Sequence, residues 1–289
     1  MRISKWLEKN TGRLEGKKVA VTGSTGGLGK ELCRHLASLG ASLILVDRNI
    51  EKSRALASEL RADFPEISIT HITANMEDMT SVKAASEALL QINIDFLILN
   101  AGAYAIPRKK CDTGFDNVFQ INFLSPYYLA RRLFPSVSER GGRIVCVGSI
   151  AHNYSKTDFD DIDFSTRNKA SLVYGNAKRH LTYSLSELYG DTGRMSITHP
   201  GITFTNITAH YPKLIFAIIK YPMKVIFMSP KRASLSILSG IFTPTGKREW
   251  IGPRIFNVWG LPKRKRLNTA GDDEIRRIAD KAEELYKAL

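Results

Sequence analysis

The sequence is poor in cysteine, with three in 289 residues. Cys33, Cys111 and Cys146 stand far apart, in no metal-ligand spacing, and their odd number does not build a disulfide framework. A disulfide-stapled fold is excluded, no metal site is suggested, and the thiols read as small core residues in a reducing compartment. Long apolar runs are also missing. No uninterrupted stretch reaches the length of a spanning helix, and Met1 to Lys18 lacks the apolar core of a signal peptide. The expectation is a cytoplasmic protein. Acidic residues are scarce beside basic ones, 28 against 42, for a net charge of +14. Such a balance suits nucleic acid, an anionic membrane surface, an anionic substrate, or simply a basic soluble surface. No DNA- or RNA-binding motif accompanies it. Lys263-Arg264-Lys265-Arg266 follows Gly260 and Pro262 and reads as an exposed loop, so nucleic acid is not an expected partner. Peripheral association with an anionic membrane stays compatible with the charge.

What is present is enough apolar matter, 43% of residues, to bury a substantial core. Residues 17–22 form a short apolar run that enters a glycine-rich turn, as a buried parallel strand does. Helical spacing follows over 28–39, then a strand at 42–46 and a helix at 50–62. Strand 67–72, helix 81–90 and strand 94–99 continue the alternation. A helical stretch at 113–138, a strand at 143–147, a helix at 170–189 and a strand at 195–198 complete it. Strands alternating with helices in this way predict right-handed βαβ units in a doubly wound, Rossmann-type parallel sheet with helices on both faces. No linker divides the chain, so residues 1–289 read as one domain with a C-terminal helical tail at about 272–289. Between 200 and 230 the rhythm breaks around Pro200, Pro212, Pro222 and Pro230. Tyr211 to Met228, with Lys213, Lys220 and Lys224 punctuating apolar stretches, reads as an apolar lid over a ligand site. A buried helix pair fits that periodicity equally well.

Thr22-Gly23-Ser24-Thr25-Gly26-Gly27-Leu28-Gly29 joins the first strand to the first helix. Glycines allow a sharp turn and close backbone approach, and a helix N-terminus offers N–H groups and a positive dipole end to a pyrophosphate. Asp47 ends the second strand 18 residues after Gly29, the distance at which a carboxylate can accept from adenosine ribose hydroxyls. Tyr174 and Lys178 are spaced to project from one helix face, where an ammonium would stabilise a phenolate and lower its pKa toward the working range. Ser149 stands at the carboxyl end of a strand, where its hydroxyl can hold a substrate oxygen. Pro126, four residues after Asn122, lacks the N–H that would bond the Asn122 carbonyl.

Together Thr22-Gly23-x-x-x-Gly27-x-Gly29, Asn100-Ala101-Gly102, Ser149 and Tyr174-x-x-x-Lys178 resemble the signature set of the short-chain dehydrogenase/reductases, in that family's order. The resemblance covers residues 15–206 and, more loosely, the remainder. It implies an oxidoreductase moving a hydride between a nicotinamide cofactor and an alcohol or carbonyl carbon. Tyr174 would be the acid/base, Lys178 its partner and the holder of the nicotinamide ribose, Ser149 the substrate-orienting group, and Asn122 the anchor of a proton relay. Cofactor contacts would come from Gly23, Ser24, Thr25, Gly27, Leu28, Gly29, Asp47, Arg48, Asn75, Met76, Asn100, Ala101 and Gly102. On the nicotinamide side they would come from Tyr174, Lys178, Pro200, Gly201, Thr203 and Thr205. Asn75 stands where many relatives have Asp.

The 25-residue interval from Ser149 to Tyr174, carrying His152 and Asp158 to Phe164, together with His199-Pro200-Gly201, resembles the retinol-dehydrogenase-like branch. That branch implies a lipophilic alcohol or carbonyl substrate such as a steroid, retinoid or fatty alcohol. His152 reads as a loop or capping residue. Asp47 favours NAD over NADP by like-charge repulsion of a 2′-phosphate, while Arg48 favours NADP. NAD is the expected cofactor, with NADP also usable. Relatives commonly dimerise through the helices at 113–138 and 170–189, which makes a homodimer one expectation. The competing readings are an NADPH-dependent reductase of small ketones and a non-catalytic nucleotide-binding regulator on the same fold.

Overall fold

A computed structural model describes residues 3–203 and 228–289. The expected lid, apart from Met228, and Thr205 lie outside these residues. Among the described residues eight strands form one sheet, in the order β3-β2-β1-β4-β5-β6-β7-β8. They are β1 Lys18–Thr22, β2 Ser42–Asp47, β3 Ile69–Thr73, β4 Phe96–Leu99, β5 Arg143–Val147, β6 Met195–Thr198, β7 Glu249–Ile255 and β8 Trp259–Arg266. The first seven run parallel, and β8 returns antiparallel along β7. The chain order reverses between β1 and β4, which opens a crevice beyond their carboxyl ends.

Side chains that alternate along each strand feed two cores. Val19, Val21, Leu43, Leu45 and Ile98 face one side. There α1 (Ile3–Asn10), α2 (Gly27–Ser38), α3 (Ile50–Asp63) and α8 (Pro230–Phe242) supply Trp6, Leu32, Leu56 and Leu235. Ala20, Ile44, Val46 and Leu97 face the other. On that side lie α4 (Met79–Ile92), α6 (Ser125–Glu139) and α7 (Ala170–Tyr189), with Val82, Leu129 and Leu181. Capping fixes several helix starts: Asn49 accepts from Lys52 N at 2.8 Å and Asp78 from Ser81 N at 3.2 Å.

The long helix expected from residue 113 begins later and is not uniform. Asp116 caps a short α5 (Asn117–Phe119) by accepting from Val118 N. One π-helical turn follows over Gln120–Leu124 before α6 resumes. Pro126 accounts for the irregular turn, since it withholds a hydrogen bond at the fourth residue after Asn122. Two further expectations are corrected. Lys263 to Arg266 are not a loop but the end of β8, an edge strand in which Pro262 sits opposite Pro253. Of the three cysteines, Cys33 and Cys146 are buried, whereas Cys111 is half-exposed. Among the described residues no helix is long and apolar enough to cross a membrane.

The C-terminal helix α9 (Asp272–Ala288) is held on α6 and α7 by two carboxylates. Glu283 accepts from Tyr127 Oη at 2.5 Å and from Arg131. Glu274 takes a bidentate pair from the buried Arg179, at 2.7 Å for both contacts. Burial alone would raise the Glu274 carboxyl, but hydrogen bonds from Arg179 and Thr157 and the guanidinium charge hold it below the usual carboxylate value. Glu274→Ala would leave a buried guanidinium short of its counter-charge, and the partly exposed pair limits the expected loss to about 2 kcal/mol. In urea denaturation the midpoint should fall with the slope unchanged, while Lys281→Ala, in an exposed pair, should cost less than about 0.5 kcal/mol. Because the folded carboxyl is depressed, the advantage of wild type over Glu274→Ala should be complete above the ordinary value of 4.5. It should fade as pH drops through the lower folded value.

Candidate active site

A cleft of about 420 Å³ opens beyond the carboxyl ends of β1, β2 and β4. Gly23, Thr25, Gly27, Leu28 and Gly29 line it on one side. Asp47, Arg48, Asn75, Met76 and Asn100 to Gly102 line the others. A Cβ on Gly29 would fall 2.3 Å from Gly23 O and 2.7 Å from Ser24 O, so the loop closes this tightly only with glycine there. No side chain caps α2, whose N-cap is Gly26, and its first N–H groups are left for another acceptor. The uncapped helix start and the glycine cradle fit a pyrophosphate.

Asn100 ties the loop to β4 by donating from Nδ2 to Thr22 O and Gly23 O, at 3.0 Å each. Thr22 Oγ1 accepts from the backbone of Asn100 and Ala101, at 3.0 Å each. Asp47 is buried, and its carboxylate braces the same loop. It accepts from Ser24 Oγ at 2.5 Å, Thr25 N at 3.1 Å and Thr25 Oγ1 at 3.2 Å. Ser24 consequently turns its side chain into the fold and is not among the residues that line the cleft. Arg48 and Lys52 are exposed at the rim. Asn75 Oδ1 accepts from Glu77 N at 3.2 Å in its own turn, while Met76 O accepts from Ser125 Oγ. Lys52 and Glu77 were not singled out in the sequence, because neither belongs to a motif and only the fold brings them to the rim.

Past Gly102 lies the second cluster. A Cβ there would be 2.9 Å from Asn122 Oδ1 and 3.6 Å from Lys178 Nζ, which marks how closely the two groups approach the cleft. Asn122, fully buried in the π turn, donates to Ala103 O at 2.8 Å and Val118 O at 2.9 Å and accepts from Ala103 N at 3.2 Å. Lys178 Nζ donates to Val147 O at 2.9 Å, at the end of β5. Ser149, two residues further on, accepts from Ala151 N at 3.2 Å and stands close enough to the Tyr174 phenol to act on its pKa. Tyr104 meets the Tyr174 ring edge-on at 5.3 Å between centroids, a contact that no motif announced. Gly201 and Thr203 follow β6, with Thr203 bridged to Met228.

Two expectations change here. The ammonium was expected to lower the Tyr174 pKa, but burial pushes the phenol up to about 12, against the lowering effect of Ser149. Lys178 reaches the ring face, 5.8 Å from its centroid, and spends a donor on Val147. His152 is neither loop nor cap but core, edge-on to Tyr183 and Trp250 and pushed by burial down to about 4.

Burial pushes Lys178 down to about 8, so its charged form is costly in the fold. Lys178→Met should therefore raise stability at neutral pH by about 1–2 kcal/mol, the desolvation relieved less one lost hydrogen bond. The gain should be complete below pH 8 and vanish as pH approaches 10.5, since there only the unfolded lysine stays protonated. Thermal melts across that range check both sign and window.

The family model for short chain dehydrogenases matches residues 17–160. Retinol dehydrogenase 12 of Mus musculus is 28% identical over an alignment of 263 residues that covers 85% of this chain and 83% of that one. The polyprenol dehydrogenase of Homo sapiens is 27% identical, across 66% of this chain and 62% of that one. Among solved structures, an uncharacterised protein from Mycobacterium paratuberculosis superposes with a TM-score of 0.73 at 22% identity, covering 96% of this chain and 95% of that one. With the sheet order, the glycine loop and the Ser149-Tyr174-Lys178 cluster, these likenesses identify the chain as a short-chain dehydrogenase/reductase of the retinol-dehydrogenase-like branch, an NAD(P)-dependent oxidoreductase acting on CH–OH groups.

Proposed function

We propose that the chain interconverts a lipophilic alcohol and its carbonyl compound, with Tyr174 as the proton-transferring group. The observation that carries this reading is the Tyr174 phenol, with Ser149 acting on its pKa and the Lys178 ammonium over its ring, just past the Gly102 end of the cleft. The names of the retinol and polyprenol dehydrogenases among its relatives support the substrate class.

The nicotinamide, when bound, supplies or accepts the hydride. Thr25, Gly27, Leu28 and Gly29 would hold the pyrophosphate, Asn75 and Met76 the adenine, and Lys178 the nicotinamide ribose. Ser149 orients the substrate oxygen toward the phenol. At neutral pH Tyr174 keeps its proton, so it is ready to donate to a carbonyl oxygen. In the alcohol direction it must first lose that proton. Asn122 fixes the backbone of Ala103 beside Lys178 and leaves its own carbonyl without an N–H from Pro126, an acceptor through which a proton relay to the lysine can run.

Tyr174→Phe should reduce turnover by at least about 10²-fold while cofactor affinity holds, because the hydroxyl alone is lost. In wild type the oxidation rate should climb with pH above neutrality, as phenolate becomes accessible, while carbonyl reduction is favoured at neutral pH. Steady-state rates at the nicotinamide absorption band, with affinities from fluorescence quenching, check both.

For the cofactor we infer a preference for NAD. Asp47 keeps a carboxylate on the cleft wall, where a 2′-phosphate would meet like charge. Arg48 and Lys52 at the rim supply the attraction through which NADP is still used. Since Asp47 also braces Ser24 and Thr25, the informative variant is Asp47→Asn, which removes the charge, keeps one oxygen to accept from Thr25 and offers an NH2 to which the Ser24 hydroxyl can turn as acceptor. It should narrow the ratio of kcat/KM for NAD over NADP by about tenfold, and a wild-type preference for NADP would contradict the assignment.

A further inference from the structure

The positive charge is not spread evenly along the chain. From Thr192 to Gly271 the sequence holds thirteen lysines and arginines and a single carboxylate, Glu249, so +12 of the net +14 lies in this stretch. Part of it builds α8 and the β7–β8 hairpin. β7 runs parallel to β6, so the hairpin turn projects from the sheet edge that also carries Ser149 and the glycine loop. Phe256 at the turn is 86% exposed, Ile255 47% and Trp259 40%, and together they make three of the five exposed large apolar side chains among the described residues.

Folding does not explain the exposed ring. Val258 N donates to Ile255 O at 2.9 Å across Phe256 and Asn257, whose φ angles are +47° and +59°. This is the geometry of a type I′ turn, in which Asn, Asp and Gly are at home and a bulky side chain at the first central position is strained. The turn is nonetheless held firmly. Asn257 O accepts from His199 Nε2 at 3.0 Å, and Lys265 Nζ donates to Asn257 Oδ1 and Pro253 O, each at 2.7 Å. Arg232, from the start of α8, lies 4.8 Å from the Trp259 ring centroid. Arg254 and Lys263 are exposed close by. The one carboxylate of the 192–271 stretch, Glu249, sits at the opposite end of β7 beside Arg264.

We propose that this turn docks on an anionic bilayer. Phe256, Ile255 and Trp259 enter the interfacial zone, while Arg254, Lys263 and Arg232 meet lipid headgroups. A second copy of the chain fits less well, because self-docking would bring the same cationic patch against itself. The proposal rests on the lipophilic-substrate reading and deepens it: docked this way, the sheet edge bearing the catalytic cluster faces the phase that holds such a substrate.

Flotation of the full chain with phosphatidylcholine vesicles, with or without about 30% phosphatidylserine, tests it. Wild type should float with the anionic vesicles and far less with the neutral ones. Phe256→Asn, which suits the turn, should weaken that partition by about tenfold, the order expected for withdrawing one phenyl ring, with no fall in melting temperature. Lys263→Glu should also weaken it. Absence of wild-type partition, or equal partition of Phe256→Asn, overturns the proposal. So does a lower melting temperature in Phe256→Asn with unchanged partition, which would mean that the ring packs on the protein's own chain. Turnover of a long-chain alcohol dispersed in detergent separates the two readings. Turnover without vesicle binding removes the docking alone, whereas Phe256-dependent binding without turnover removes the substrate class alone.

Discussion

A lysine ammonium buried at the carboxyl edge of the sheet sets the terms for the rest of this site. Lys178 is 3% exposed and rests on Val147 O, and burial opposes its charge. That cost is met by the geometry around it. The neighbouring parallel strands β4 and β5 end beside it. Gly102 lets the backbone approach, and Asn122 pins the segment after β4. The π turn that aims Asn122 follows from Pro126 in the same helix. One covalent constraint and one buried charge thus explain an irregular helix, a close glycine and the position of Tyr174.

Most of the fold was legible because buried parallel strands and their helices write strong local patterns. β6 and α7 fall on the residues that periodicity gives, and β1, β2 and α3 within a residue or so. The hairpin was not legible. Lys263 to Arg266 is a run of charge, and the strand exists only because β7 offers it an edge. The short α1 and the helix α8 were missed for a related reason: neither stands in the strand–helix rhythm, and each is defined by what it packs against.

The site was legible as residues but not as a set of bonds. Spacing puts Tyr174 over Lys178 on one helix face, yet it could not reveal that the ammonium donates to a strand carbonyl while burial raises the phenol. Asp47 illustrates the same limit. Its distance from the glycine loop marks it as a cofactor contact, and its three hydrogen bonds make it equally a brace of that loop. Ser24 turns inward for this reason. Two demands on one carboxylate, holding a loop and repelling a phosphate, are visible only when the partners are named.

The central claim is hydride transfer to carbon coupled to a proton from Tyr174. It is tested most directly by reducing a long-chain aldehyde or retinoid aldehyde with nicotinamide cofactor deuterated at the transferred position, then locating the label by mass spectrometry. The account predicts one deuterium on the carbinol carbon of the alcohol, formed by wild type and nearly absent with Tyr174→Phe. Label-free alcohol, or equal labelled product from Tyr174→Phe, would contradict it.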